Sequence, residues 1–286
     1  MRVTEHISSV RIPFEIPLPT GARARRSVYA HVVHGKRACF IDSGVSGSAD
    51  VILALLREAC GDACEPTTLL LTHTHPDHIG SARTLRERTG VEIGCPSGEA
   101  VWLEDVQKQM IDRPVPGFAS LVEGPAKVDF PVEDGLELDL GGVRIKAFTT
   151  PGHSPASTCY RVLEDDAVVS GDAVPLLTEP PIYDDAMASL KSMRKFRLSS
   201  PAHLLPSWHD PLHGDAVLAH IFDGERAIVR FHAAVVKTLD ANPQLDDEIA
   251  CPRVLSELGF DPGSANPLIL RTFRAHRRAL PEWPGV

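Results

Sequence analysis

The chain has 286 residues, 43% hydrophobic and 23% charged, and 29 Lys plus Arg stand against 38 Asp plus Glu for a formal net charge of −9. These proportions belong to a globular protein with a sizeable core, one large domain or two small ones, and exclude disordered and fibrous classes. So acidic a chain lacks the basic footprint of a sequence-independent nucleic-acid binder, and no apolar run approaches the roughly 20 residues that span a bilayer.

Residues 1–19 are broken by Arg2, Glu5, His6, Arg11 and three prolines, unlike the apolar core of a signal peptide, so a cytoplasmic location is expected. Residues 27–33 and 37–42 pattern as paired strands, with a turn beginning at Gly44. Residues 49–59 carry Val51, Ile52, Leu55 and Leu56 at helical spacing, and 67–71 form a β-rich run that stops at Thr72. A helix capped by Ser81 is expected over 81–88, and a strand over 91–94. Gly141-Gly142 joins runs 136–140 and 143–148 as a hairpin, and Glu164-Asp165-Asp166 joins 158–163 and 167–170 as another. Strands interleaved with helices predict a mixed sheet with helices on its faces. Pro-rich stretches at 113–116 and 175–181 read as loops.

Beyond Gly214 the texture turns helical, over 216–239 and 267–280. This gives an expected division into a main domain, 1–214, and a helical extension, 215–286, packed on it. Leu218, Phe222, Val229 and Val236 are the expected apolar stripe of the first long helix, which together with 175–183 would wall the substrate. Two basic groups, Lys191/Arg194/Lys195/Arg197 and Arg271/Arg274/Arg277/Arg278, read as solvated helix faces, and homo-oligomerisation stays open. Cys39, Cys95 and Cys159 lie in apolar or strand-like stretches and read as buried hydrophobes, while Cys60 and Cys64 have no matching pair for a structural zinc.

The most informative segment is His73-Thr74-His75-Pro76-Asp77-His78. Imidazole nitrogen and carboxylate oxygen are ligands that Zn²⁺ and similar ions accept. On a loop leaving a strand, alternate residues face different ways, so His73 and His75 can serve one ion and Asp77 and His78 a second. His153, Asp172 and His209 each follow a strand-like run, where ligand sites of sheets with helical faces gather.

These motifs, with Asp42-Ser43-Gly44 ahead of them, resemble the metallo-β-lactamase-fold hydrolases over roughly residues 29–214. The resemblance implies a four-layer αββα sandwich and two divalent ions, Zn²⁺ first, with Fe or Mn as alternatives. It assigns His73, His75 and His153 to one ion, Asp77, His78 and His209 to the other, and Asp172 to both. Asp42 would steady the histidine loop. Trp208 stands where the family usually has Gly before the last ligand, so His203 or His213 compete with His209 for that role. A metal-bridging hydroxide would attack the substrate, with Asp77 passing a proton to the leaving group. Pro151-Gly152-His153-Ser154 and Ser170-Gly171-Asp172-Ala173 look most like the glyoxalase II, thioesterase and lactonase branch, so a small ester, thioester or lactone is the expected substrate. The alternatives are a mononuclear-iron persulfide dioxygenase and a phosphodiesterase or nuclease of the same fold.

Overall fold

A computed structural model describes residues 1–17, 23–61, 64–240 and 242–283. In chain order the elements are β1 (Ile7–Pro17), β2 (Arg23–His34), β3 (Ala38–Ile41), α1 (Ala49–Cys60), β4 (Pro66–Leu70), α2 (Pro76–Ile79), α3 (Ala82–Thr89) and β5 (Glu92–Pro96). Next come α4 (Ala100–Glu104), α5 (Val106–Asp112), α6 (Phe118–Leu121), β6 (Phe130–Val132), β7 (Glu137–Asp139), β8 (Arg144–Thr149), β9 (Thr158–Val162) and β10 (Ala167–Gly171). The remainder is α7 (Ala186–Ser199), β11 (His203–Pro206), β12 (Leu212–His213), α8 (Asp215–Asp240), α9 (Asp247–Glu257) and α10 (Pro267–Ala279). Two units alternate along the chain: Met1–Thr149, Thr158–Gly171 and Pro201–His213 form the first, and Thr150–Ser157, Asp172–Ser200 and Gly214–Val286 the second.

The first unit holds both sheets, ordered β1-β2-β3-β4-β5-β6 and β12-β11-β10-β9-β8-β7. Side chains alternate across each strand, and the two faces of the first sheet therefore serve different cores. Cys39, Ile41 and Leu70 turn to the second sheet and meet Ile145, Ala147, Tyr160, Val162, Val169 and Leu205. Ala38, Phe40 and Leu69 turn the other way, under Ile52, Leu55 and Leu56 of α1 and Leu85 of α3. Each such fully buried aliphatic or aromatic side chain contributes about 1.5–3 kcal/mol of transfer free energy, and this burial holds the layers together.

Strand β1 lies outside the elements the sequence predicts. Its alternation Ile12, Phe14, Ile16 is regular, but Pro13 and Pro17 mask it. As the edge strand it tolerates prolines that a central strand could not. Ser81 does occupy the N-cap position of α3, yet its hydroxyl makes no cap bond. It accepts instead from Ser48 N (2.9 Å) and lies 2.8 Å from Val45 O, tying two loops beside the helix.

In the second unit, α8 buries Val217, Ile221, Gly224, Ile228, Phe231 and Val235. The expected stripe is therefore one residue out of phase: Phe222 is exposed, with the Arg197 guanidinium 6.0 Å from its ring centre. Both rows have helical spacing, and packing selects the row flanking Gly224, where a Cβ would press on Val174 at 2.7 Å. Phe231, Val235 and Leu239 join Cys251, Val254 and Leu255 of α9 and Ile269 and Phe273 of α10 in one core. Lys191, Arg194, Lys195 and Arg197 of α7 are exposed, as the sequence predicts. The second arginine group is not simply solvated: Arg271 grips Asp184, and Arg274 and Arg277 grip Asp247.

Gly80, which ends α2, is set by space. A Cβ there would collide with backbone atoms of Val45 and Leu121, which cannot swing aside as a side-chain tip can. Gly80→Ala should therefore cost about 1–3 kcal/mol of stability in a denaturant titration, the range for overpacking a filled site. Unchanged stability would show that these loops yield freely.

Candidate metal centre

In the first unit, β4 delivers the chain to Thr72, and the histidine motif follows as a loop running into α2. Pro76 sits at the start of that short helix, where its missing N–H costs nothing, and His75 stands at the N-cap position. The turn folds His73, His75 and His78 together: ring centres are 4.4 Å apart for His73 and His75, and 4.0 Å for His73 and His78. All three are almost fully buried, with their Nε2 atoms enclosed. Asp77 is partly buried, with its Oδ2 3.7 Å from His78 Nε2.

Asp42 organises this group. Its carboxylate is buried and accepts from Thr72 N (2.8 Å), Thr72 Oγ1 (2.8 Å) and His78 Nδ1 (2.8 Å). A hydroxyl has one proton, and Thr72 gives it to Asp42. The 3.0 Å contact between Thr72 Oγ1 and His73 Nδ1 therefore runs from His73 as donor. Both His73 and His78 are thus Nδ1–H tautomers with the Nε2 lone pair available, the arrangement by which outer partners orient metal-binding histidines. His209, exposed and just beyond β11, donates Nδ1–H to Asp210 O at 2.8 Å and shares that tautomer. Tyr29 steadies the same loop through Asp210 Oδ1 at 2.6 Å, and burial with that bond pushes its hydroxyl up to about 12.

In the second unit, His153 lies on the loop Thr150–Ser157 and donates Nδ1–H to Ile182 O at 2.8 Å, again leaving Nε2 with the lone pair. Its Nε2 is 3.3 Å from Asp172 Oδ2. His73, His75, His78, His153 and Asp172 are among the side chains able to hold a metal ion. In the first unit, the enclosed Nε2 atoms of His73, His75 and His78 beside the Asp77 carboxylate fit a divalent cation.

The strand ends from which these loops depart meet within the first unit. Thr158 N donates to Thr72 O at 2.8 Å, Ser207 N donates to Gly171 O at 3.1 Å, and Thr149 pairs with Thr158. Gly171, at φ +53°, lies so close to Thr72 that a Cβ would stand 2.7 Å from its Oγ1. His203 and His213 lie elsewhere: they face each other across β11 and β12, with Nδ1 atoms 2.6 Å apart. His203 pairs with Ala167 at the start of β10, about 13 Å along the strand from Gly171 at about 3.3 Å per residue.

Some supporting residues carry no signal in the sequence. Buried Glu99 accepts from Thr74 N (2.9 Å) and Thr74 Oγ1 (3.1 Å), and Gln109 donates to Thr74 O, so the residue between His73 and His75 is clamped. Tyr160 donates to Leu71 O at 2.6 Å. His31, held by Ser9 Oγ at 2.7 Å, is pushed down to about 3, chiefly by burial.

The comparisons with known proteins agree with this fold and these candidate metal ligands. The chain belongs to the metallo-beta-lactamase superfamily, whose sequence profile matches residues 23–252. It is 36% identical over 110 residues to the probable metallo-hydrolase YqgX of Bacillus subtilis, covering 38% of this chain and half (50%) of that relative's length. It is 26% identical over 211 residues to a hydroxyacylglutathione hydrolase of Acidiphilium cryptum, covering 73% of this chain and 75% of the relative. A metallo-beta-lactamase family protein of Thermus thermophilus superposes with a TM-score of 0.69 at 18% identity, over 96% of this chain and 93% of the other, a likeness of fold. Among the described residues no helix is long and apolar enough to cross a membrane.

The role of Thr72 can be tested with two substitutions. Thr72→Val removes the hydroxyl that relays Asp42 to His73 and should weaken metal binding about 10–100-fold, the usual loss on deleting an outer partner, while Thr72→Ser should retain most of it. Chelator competition reads both, and equal affinities for the two variants would remove the hydroxyl from the site.

Proposed function

We propose that the chain is a metal-dependent hydrolase that holds two divalent ions, Zn²⁺ first, and cleaves a small ester, thioester or lactone. The observation that carries this reading is the common tautomer of His73, His78, His153 and His209, each donating from Nδ1 and keeping Nε2 for a ligand bond. His73, His75 and His153 would hold one ion, Asp77, His78 and His209 the other, with Asp172 shared. His209 is preferred to His203 or His213 because it follows the same end of β11 that meets Gly171. Bound divalent ions supply Lewis acidity and bring the pKa of water towards 7, so that no serine or cysteine nucleophile is needed.

The chain's own side chains supply order and proton traffic. Asp42 and Thr72 hold His73 and His78 in register, and Ile182 O does so for His153. Asp77, the least buried of the motif's carboxylate and histidine groups, would pass a proton to the leaving group. The Acidiphilium cryptum relative's name, hydroxyacylglutathione hydrolase, supports an acyl substrate of the thioester type. The net charge of −9 disfavours a polyanionic nucleic-acid substrate.

Elemental analysis of the purified chain should find two ions per molecule, and a panel of esters, thioesters, lactones and phosphodiesters should show chelator-sensitive acyl hydrolysis. Asp172→Ala should lose activity and at least one ion with the fold retained, whereas Asp42→Asn should lose about 10–100-fold. A single tightly held iron would overturn the hydrolase and favour the dioxygenase, and turnover of phosphodiesters alone would replace the acyl substrate.

A further inference from the structure

The second unit carries a buried polar network that the chemistry above does not use. Tyr183, fully buried, places its hydroxyl 2.5 Å from His276 Nε2, and His276 Nδ1 lies 3.2 Å from His232 Nδ1. His232 in turn stacks on Trp283, with ring centres 3.7 Å apart and planes 8° from parallel. The direction of these bonds follows from bookkeeping of protons. A buried phenol that only accepted would leave its own O–H unsatisfied, so Tyr183 donates to His276 Nε2 and His276 Nδ1–H donates to His232.

The same stretch of chain is gripped again by α10. Thr272 Oγ1 accepts from Tyr183 N at 3.0 Å and donates to Tyr183 O at 3.2 Å, as a neighbouring strand would. Arg271 reaches Asp184 with two bonds of 3.0 Å, and Arg278 donates to Asp184 O at 3.0 Å. What this segment holds on its other side is the His153 loop. Ile182 O accepts from His153 Nδ1, and Gly152 O accepts from Asp184 N at 2.8 Å and Asp185 N at 3.1 Å. Gly152 itself, at φ +137°, admits no side chain, because a Cβ would lie 2.5 Å from Ser189 N of α7.

We infer that α10 is a positioning device for His153: Thr272 and His276, acting through Tyr183, fix the Ile182 carbonyl that sets the tautomer and ring orientation of this ligand. The assignment of His153 as a ligand rests on the proposed function. Tyr183, Thr272 and His276, all fully buried, are positioning residues. Helix α10 is then part of the support of His153.

Thr272→Val keeps the shape of the side chain and removes both bonds to Tyr183. Tyr183→Phe removes one hydroxyl and carries the test where the first variant fails to fold. In the full-length chain, Zn²⁺ competition against a chromophoric chelator should show one of two ions weakened about 10–100-fold in each variant, with Thr272→Ser restoring it. Histidine-ring ¹⁵N NMR of the metal-free chain should show His153 as the Nδ1–H tautomer in the parent and a mixture in Thr272→Val. A parent chain that binds fewer than two ions defeats the functional reading, while the tautomer comparison still decides this one. Variants with parental affinities for both ions and an unchanged His153 tautomer, whatever their melting temperatures, would overturn the inference.

Discussion

The histidine loop of the proposed centre hangs on one buried carboxylate. Asp42 sits at the end of β3 with φ +60°, a left-handed conformation that a non-glycine residue adopts at a cost. A buried charge is tolerated only when its oxygens are satisfied, and here a backbone amide, a hydroxyl and an imidazole satisfy them. The backbone twist aims the carboxylate across the strand end, where Asp42 N also bonds Leu70 O at 2.9 Å. The orientation of two histidines follows from that placement, since Thr72 has only one proton to give.

The sheets turn this local arrangement into a rigid one. Thr72, Thr158, Gly171 and Ser207 belong to four different strand ends, yet backbone bonds and a glycine-sized gap hold them together. Loops rooted in such a frame inherit its precision, and strand pairing fixes each root to within a hydrogen-bond length. The inter-sheet core behind them, with Tyr160 reaching Leu71 O, leaves little room for the roots to slide.

The histidine motif and the two glycine- or acid-centred hairpins were legible because each is a local signal: ligand types crowded into a few residues, or turn residues between alternating runs. What was hidden is whatever depends on partners far along the chain. The prolines of β1 mask its alternation until its edge position is known, and the buried row of α8 is decided by neighbours such as Val174 and Phe273, not by spacing. Thr72 and Asp42 are 30 residues apart, so the tautomer they impose is invisible to a motif. Glu99 and Gln109 look like ordinary polar helix residues until Thr74 is placed beside them. The arginines of α10 pattern as a solvated face, but their partners Asp184 and Asp247 lie on other segments of the chain.

The alternation of the two units along the chain also bears on how the molecule is made. The second unit is assembled from Thr150–Ser157, Asp172–Ser200 and Gly214–Val286, and Tyr183 meets His276 across 93 residues of sequence. A ribosome releases these pieces in order, so the His153 loop emerges well before α10 exists. Loop-closure entropy must be met before such distant contacts reward it, which slows their formation. During synthesis, then, the sheets can close while the His153 loop still awaits its support, and the nascent chain passes through an interval in which His73, His75 and His78 are ordered and His153 is not.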